Sequence, residues 1–168
     1  MKKFISFTTI ALLLDQIIKI LVSYYMELSY SISIIPSFFR ITYLQNTGAA
    51  WSTFSNKTTY LIVLTLAFLA AFYFFLLRKT DFSKDKGIAV IYGVIVGGIL
   101  GNLIDRIRLG YVIDYLDFSF FGYNFPVFNL ADSFIVRFAL PSVMKKWENL
   151  FITLASQDEW YDFRCKWY

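Results

Sequence analysis

The chain has 168 residues, of which 58% are hydrophobic and 21% aromatic, and its mean hydropathy is +0.56. This length fits one domain, and this composition is typical of a membrane protein. The sequence has no histidine and a single cysteine, Cys165. It therefore excludes Ser-His-Asp and Cys-His catalysis, histidine-ligated metal sites and an intramolecular disulfide.

The formal net charge is +4, and the basic residues flank the apolar segments instead of clustering on one polar surface. Lysine and arginine beside an apolar segment mark its cytoplasmic end. Lys2 and Lys3 at the start, with Arg78 and Lys79 after the second long apolar segment, place these ends on the cytoplasmic side. Residues 29–57 are then predicted to lie outside, and no nucleic-acid partner is expected.

The first predicted membrane span covers residues 4–26 approximately and contains two opposite charges, Asp15 and Lys19. Their i,i+4 spacing places them on one helix face, where they can neutralise each other. A structural ion pair inside a helix bundle and a direct role in binding or positioning both fit this pattern. A cleaved secretory signal is rejected, because no small-x-small site follows and apolar character resumes through Met26.

Residues 29–56 change to short stretches rich in isoleucine, tyrosine, phenylalanine and threonine, and they predict a small sheet outside the hydrocarbon. The break at Pro36 and Ser37 separates two candidate strands. The second candidate strand ends in Asn46, Thr47 and Gly48. Taken alone, this turn sequence fits plain turn chemistry as well as a binding loop.

The second and third predicted spans cover residues 60–77 and 87–106, and each contains an 18-residue stretch without charge. Such a stretch is about 27 Å long as a helix, at ~1.5 Å per residue, which is enough to cross a bilayer. Gly93, Gly97 and Gly101 have the four-residue spacing that allows another helix to pack closely.

A second stripe on the third span consists of Gly98, Asn102 and Arg106, with Asp105 beside it. Polar and ionisable groups at membrane depth are costly, so they are usually paired and functional. The alternative is that Asn102 and Arg106 serve as interfacial caps and anchors.

The segment 107–128 is predicted to be an outer loop, with Asp114 and Asp117 inside an apolar stretch and an aromatic part suited to the membrane interface. Asn129 and Asp132 then open a fourth predicted span, 129–150. Asp132 at this position fits either a helix N-cap or a functional acid.

At this point the chain resembles the lipoprotein signal peptidases, also called signal peptidase II, through five motifs in the family's order. The motifs are Asp15-Gln16-Ile17-Ile18-Lys19, Asn46-Thr47-Gly48-Ala49-Ala50-Trp51-Ser52, Gly97-Gly98 with Gly101-Asn102-Leu103-Ile104-Asp105-Arg106, Val112-Ile113-Asp114, and Phe128-Asn129-Leu130-Ala131-Asp132.

The resemblance implies a mainly α-helical, polytopic four-helix bundle of the bacterial cytoplasmic membrane, with a small extracytoplasmic β-sheet. Family members are aspartyl endopeptidases that cut prolipoproteins just before the diacylglyceryl-modified cysteine, and they need no cofactor or metal. The resemblance assigns catalysis to Asp114 and Asp132, and a structural or orienting role to Asp15, Lys19 and Asp105. It places five residues around the substrate, where globomycin-type inhibitors also bind: Asn46, Gly48, Asn102, Arg106 and Asn129. Membrane lipid is a further expected partner.

The tail departs from the family's pattern. Only 12 residues separate Asp132 from Lys145, and they include Arg137 and Pro141, whereas a span needs roughly 17–25 mostly apolar residues. Residues 147–168 also contain three of the four tryptophans and the cysteine. We therefore expect an atypical fourth helix and an aberrant tail over 137–168, produced by a frameshift or a similar replacement near Arg137.

Two alternative functions follow from these features. An impaired or inactive relative would retain the motifs and lack a working fourth helix. A small membrane transporter subunit would use Asp15, Lys19 and Asp105 as a polar pathway, although two acids at the outer mouth of a helix suit a protease better.

Overall fold

The computed structural model describes residues 1–48, 57–82 and 84–137, which form three long helices and one small antiparallel sheet. The three helices are long and apolar enough to cross a membrane. This confirms the predicted mainly α-helical membrane fold with a small sheet. The helices are α1 (Lys2–Tyr25), α2 (Thr58–Phe75) and α3 (Lys86–Leu109), and the strands are β1 (Ser31–Ile35), β2 (Phe39–Asn46), β3 (Val112–Phe120) and β4 (Tyr123–Asn124).

Helices α1 and α3 pack closely because glycines line their contact. A Cβ atom on Gly93 would lie 2.7 Å from the Phe4 carbonyl oxygen, and one on Gly97 would lie 2.6 Å from the Thr8 carbonyl oxygen. A Cβ atom on Gly101 would collide with the Asp15 carboxylate. The glycine stripe of α3 therefore brings the backbone of α1 and its buried charges against α3.

Strand β3 occupies much of the segment that was predicted to be an outer loop over 107–128. Helix α3 continues to Leu109 and ends at Gly110, whose φ of 83° is favourable for glycine. The chain then enters β3, which pairs with β2 in register, with Asn46 opposite Val112 and Arg40 opposite Asp117. The loop prediction was wrong here because residues 112–115 are all buried, so the polar/apolar alternation of a half-exposed strand is missing.

The sheet is tied to the helices by a hydrophobic cluster of Val22, Tyr43, Ile113 and Tyr115. This cluster joins α1 to the two central strands, so it fixes the position of β3 relative to the C-terminal part of α1. A second cluster, with Phe72 from α2 packed on α3, lies elsewhere in the bundle. Between β3 and β4, the exposed Phe121 sits in a turn with a positive φ of 49°.

The chain is helical again over residues 130–137, which is the beginning of the predicted fourth span. The rest of that span and the predicted aberrant tail, from residue 138 onward, lie outside the described residues. So does the part of the predicted sheet region over 49–56.

Adding one methyl group at the helix contact should weaken the fold. We expect Gly97→Ala to destabilise the protein by roughly 1–3 kcal/mol, because the new methyl group meets backbone that cannot move independently. The control is Ala67→Val, which enlarges an exposed residue of α2. Melting temperatures in the same detergent should fall for Gly97→Ala and stay near wild type for Ala67→Val, and equal melting temperatures would contradict the proposed close contact.

Candidate active site

Asp114 lies near the start of β3, and both of its carboxylate oxygens accept hydrogen bonds from amides. The side chain is 3% exposed. Asn46 Nδ2 at the end of β2 donates to Asp114 Oδ2 at 2.8 Å, and Asn129 Nδ2 donates to Asp114 Oδ1 at 2.7 Å. The strand pairing and the chain entering the last helical segment thus hold this carboxylate from two sides.

Asp132 lies in the helical segment 130–137 and is held by a different set of donors. Asn102 Nδ2 of α3 donates to Asp132 Oδ1 at 2.8 Å, and the backbone N–H of Asn129 donates to Asp132 Oδ2 at 3.2 Å. In return, the backbone N–H of Asp132 donates to Asn129 Oδ1 at 3.0 Å. This reciprocal pair has the arrangement of a capping box, in which Asn129 is the N-cap and Asp132 the third helical residue.

Asn129 therefore contacts both acids, since its amide nitrogen binds Asp114 and its amide oxygen binds the Asp132 N–H. The side chain is fully buried. The structure thus brings together the two residues that the resemblance assigned to catalysis. They share a single polar site at the junction of β3, α3 and the last helical segment.

Lys19 lies at the centre of a buried ionic cluster next to this site. Its Nζ atom is 2.8 Å from Asp15 Oδ2, 2.9 Å from Asp105 Oδ2 and 2.7 Å from Asn102 Oδ1. All three charged side chains are at most 1% exposed. Removing one member of such a group leaves a buried charge without compensation, which typically costs about 3–5 kcal/mol.

Arg106 follows Asp105 of this cluster on α3 and carries a second buried cationic group. Its Nη2 atom donates to the Gly48 carbonyl oxygen at 3.2 Å, while its buried Nε has no acceptor within the described ranges 1–48, 57–82 and 84–137. Gly48 is positioned by its own N–H, which donates to Asn46 Oδ1 at 2.9 Å. The predicted turn of Asn46 and Gly48 thus lies beside Arg106 and Asp114.

The two acids of β3, Asp114 and Asp117, have pKa values that are shifted in opposite directions. Burial, and then the neighbouring Asp132 carboxylate, raise the pKa of Asp114 to about 7. Burial also acts to raise the pKa of Asp117, but hydrogen bonds from Arg40 and Thr42 prevail and lower it. Asp114 can therefore carry a proton near neutral pH, whereas Asp117 is a fixed carboxylate that joins β2 to β3.

The sequence did not single out four hydrogen bonds that support this site. Gln16 Nε2 donates to Asp105 Oδ1 at 3.0 Å and to the Gly101 carbonyl oxygen at 3.2 Å. The Ala131 N–H donates to Asp15 Oδ1 at 3.1 Å, and the Leu130 N–H donates to the Tyr115 hydroxyl at 3.2 Å. Gln16 lies inside the first motif, directly after Asp15, and this position was the one sequence feature that could have indicated its contact with the site. The two backbone contacts carry no sequence signal.

A comparison with known protein families shows to which family the chain belongs. Residues 7–145 match the model for signal peptidase (SPase) II. The chain belongs to the signal peptidase II family. This confirms the resemblance carried by the five motifs, and it makes the chain a protease, which argues against the transporter alternative. The match ends at residue 145, and the replacement expected near Arg137 stays a prediction.

Relatives of known name agree with this membership. The lipoprotein signal peptidase of Halothermothrix orenii is 44% identical over 140 residues, which are 83% of this chain and 91% of that protein. The lipoprotein signal peptidase of Staphylococcus aureus is 38% identical over 119 residues, which are 71% and 72% of the two chains. The signal peptidase II motifs are therefore part of a likeness that extends over most of the chain.

Two solved structures have the same fold, and both are described as bacterial membrane enzymes studied by the in meso method. The first, at 2.3 Å resolution, has a TM-score of 0.80 and 29% identity and covers 95% of this chain and 94% of its own. The second, at 1.9 Å resolution, has a TM-score of 0.73 and 30% identity, with coverage of 94% and 95%. They confirm that this signal peptidase II fold is that of a membrane enzyme.

The raised pKa of Asp114 has a consequence for stability. Between pH 4 and 7, approximately, the folded state holds a proton on Asp114 that the unfolded state has lost, so stability falls as pH rises through this window. Asp114→Asn cannot ionise, and we expect its melting temperature relative to wild type to increase from about pH 4 to about pH 7 and then level off. Thermal unfolding in detergent across this range checks it, and a difference that is constant with pH would contradict the assignment.

Proposed function

We propose that the chain is an aspartyl endopeptidase that removes signal peptides from prolipoproteins and cuts just before a diacylglyceryl-modified cysteine. The observation that carries this proposal is that one buried residue, Asn129, binds both carboxylates: its side-chain Nδ2 donates to Asp114, and its backbone N–H donates to Asp132. The lipoprotein signal peptidases to which the chain is similar support the substrate class.

Peptide hydrolysis by two carboxylates needs one of them ionised and the other protonated. The ionised carboxylate takes a proton from the attacking water, and the protonated one donates to the carbonyl oxygen of the scissile bond. Among the described residues, Asp114 and Asp132 accept hydrogen bonds from side-chain amides and a backbone N–H group, which fix both carboxylates without neutralising them.

Arg106 is the residue we propose to hold a substrate carbonyl, because its Nε beside the Gly48 turn has no acceptor among the residues that the structure describes. The amides of Asn46, Asn102 and Asn129 already bind the two acids, so we propose that they shape the site around the substrate by fixing those acids. A globomycin-type inhibitor is proposed to occupy the same site.

The substrate's signal helix and lipid chains are proposed to bind against the apolar outer surfaces of the helices, which expose many large side chains such as Ile17, Leu21 and Leu64. The site lies where α3 ends and β3 begins. With Lys2 and Lys3 on the cytoplasmic side, this end of the bundle is extracytoplasmic. We therefore propose a location in the bacterial cytoplasmic membrane with the active site facing outward.

The central experiment is cleavage of a diacylglyceryl-modified prolipoprotein by the purified protein in detergent. We expect Asp114→Asn and Asp132→Asn each to lower turnover by at least about 100-fold, because each removes one acid–base group. The matched control is Asp117→Asn, which neutralises another buried carboxylate of β3. Asp117 binds Arg40 and Thr42 and does not belong to the proposed catalytic pair.

Asp117→Asn should remain active as long as it is folded. Substantial turnover by either Asp114→Asn or Asp132→Asn would contradict the aspartyl mechanism. Absence of turnover by the folded wild-type chain would instead identify the impaired relative that the atypical tail predicts.

A further inference from the structure

A continuous line of contacts runs from the buried ionic cluster to one of the two proposed catalytic acids. Lys19 Nζ donates to Asn102 Oδ1 at 2.7 Å, and Asn102 Nδ2 donates to Asp132 Oδ1 at 2.8 Å. Asn102 is 7% exposed and Lys19 is fully buried, so water has little access to this line. Both hydrogen bonds are short and belong to one amide.

The chemistry of Lys19 fixes which way this amide faces. An ammonium group has three donors and no acceptor, so only the oxygen of Asn102 can face it. The NH₂ group of Asn102 then points at Asp132 and can only donate. A donor with no accepting capacity favours the ionised form of the carboxylate that it meets.

Asp114 also accepts hydrogen bonds from two amide NH₂ groups, those of Asn46 and Asn129, but different groups orient these amides. The oxygen of Asn46 accepts the Gly48 N–H, and the oxygen of Asn129 accepts the Asp132 N–H. Both orienting groups are neutral backbone donors. A cation one amide away is therefore found on the Asp132 side of the pair and, among the described residues, has no counterpart in the contacts of Asp114.

Other charged groups surround this line. Asp15 on α1 and Asp105 on α3 bind Lys19 directly, Arg106 lies on α3 near both acids, and Asp114 faces Asp132 from β3. Asp15 also accepts the Ala131 N–H, so the same cluster holds the backbone of the segment that carries Asp132. The ionic cluster thus acts on both the charge and the position of Asp132.

We propose that Lys19 is a positioning residue which, by orienting Asn102, makes Asp132 the ionised carboxylate and Asp114 the protonated one. This inference rests on the proposed aspartyl function and assigns its two roles. It also gives a reason for a lysine, rather than any apolar side chain, at the centre of the helix contact.

The reaction then balances as follows. Asp132 takes a proton from water, the water oxygen bonds to the scissile carbon, and Asp114 gives its proton to the carbonyl oxygen, which yields a diol. As the carbon–nitrogen bond breaks, Asp132 passes its proton to the leaving amine and Asp114 recovers one from a diol hydroxyl. Both acids return to their starting states.

The test is the pH dependence of kcat and KM for a lipidated prolipoprotein in the Lys19→Met/Asp15→Asn double variant. Removing one positive and one negative charge together keeps the net charge of the cluster unchanged, and an asparagine oxygen at position 15 can still accept the Ala131 N–H. We expect kcat to fall about 10- to 100-fold with little change in KM, since a charge-assisted hydrogen bond is lost. The acid limb of the kcat profile should move to higher pH, because Asp132 becomes harder to ionise.

The control is the Arg40→Met/Asp117→Asn double variant, which removes a more exposed ion pair from the sheet. Its acid limb should coincide with that of wild type. If the first double variant does not fold, Lys19→Met/Asp105→Asn replaces it, and Asn102→Ala, which breaks the line and leaves the ion pairs intact, should show the same displacement.

An acid limb that stays at its wild-type position in any folded variant of this set, with kcat lowered equally at all pH values, would overturn the inference and leave Lys19 a structural residue. That result leaves the proposed function intact as long as Asp114→Asn and Asp132→Asn are inactive. Turnover by Asp132→Asn would overturn the proposed function first, so the two failures are distinguishable.

Discussion

The buried ammonium of Lys19 is the constraint on which the rest of the structure depends. A charge inside an apolar helix contact must be compensated at once, and here two carboxylates and one amide oxygen surround it within 2.9 Å. This is possible only because Gly101 has no side chain where the Asp15 carboxylate lies. The charge of Lys19 is therefore compensated only when α1 packs closely on α3. Glycines and acids at helical spacing make both possible.

The same constraint extends outward to the site. Asn102 accepts a hydrogen bond from Lys19 of the ionic cluster and donates one to Asp132. Asn129 caps the helical segment that carries Asp132 and also donates to Asp114. Polar groups that contact one another in a poorly hydrated place hold fixed positions, which is what acid–base chemistry on a peptide bond requires. Asn46 at the end of β2 and Asn129 at the helix N-cap thus also hold the acids of the site.

Much of this fold is predictable from the sequence, because length, hydropathy and the spacing of Gly93 and Gly97 depend on local pattern alone. The pairing of Asp15 with Lys19 follows from i,i+4 spacing in the same way. Strand β3 was missed because burial on both faces removes the alternation that marks a strand. The partners of Asn102 were also beyond prediction, since an amide in a sequence does not show whether it faces substrate, lysine or carboxylate.

The most direct test of the central claim is infrared difference spectroscopy of the purified protein in detergent, titrated across neutral pH with Asp114→Asn and Asp132→Asn as references. The structure predicts a protonated carboxyl band that disappears with a midpoint near pH 7 in the wild type, is missing in Asp114→Asn, and persists with a lower midpoint in Asp132→Asn. A band that is lost in Asp132→Asn and unaffected in Asp114→Asn would contradict it. So would a spectrum in which neither substitution changes the protonated carboxyl signal.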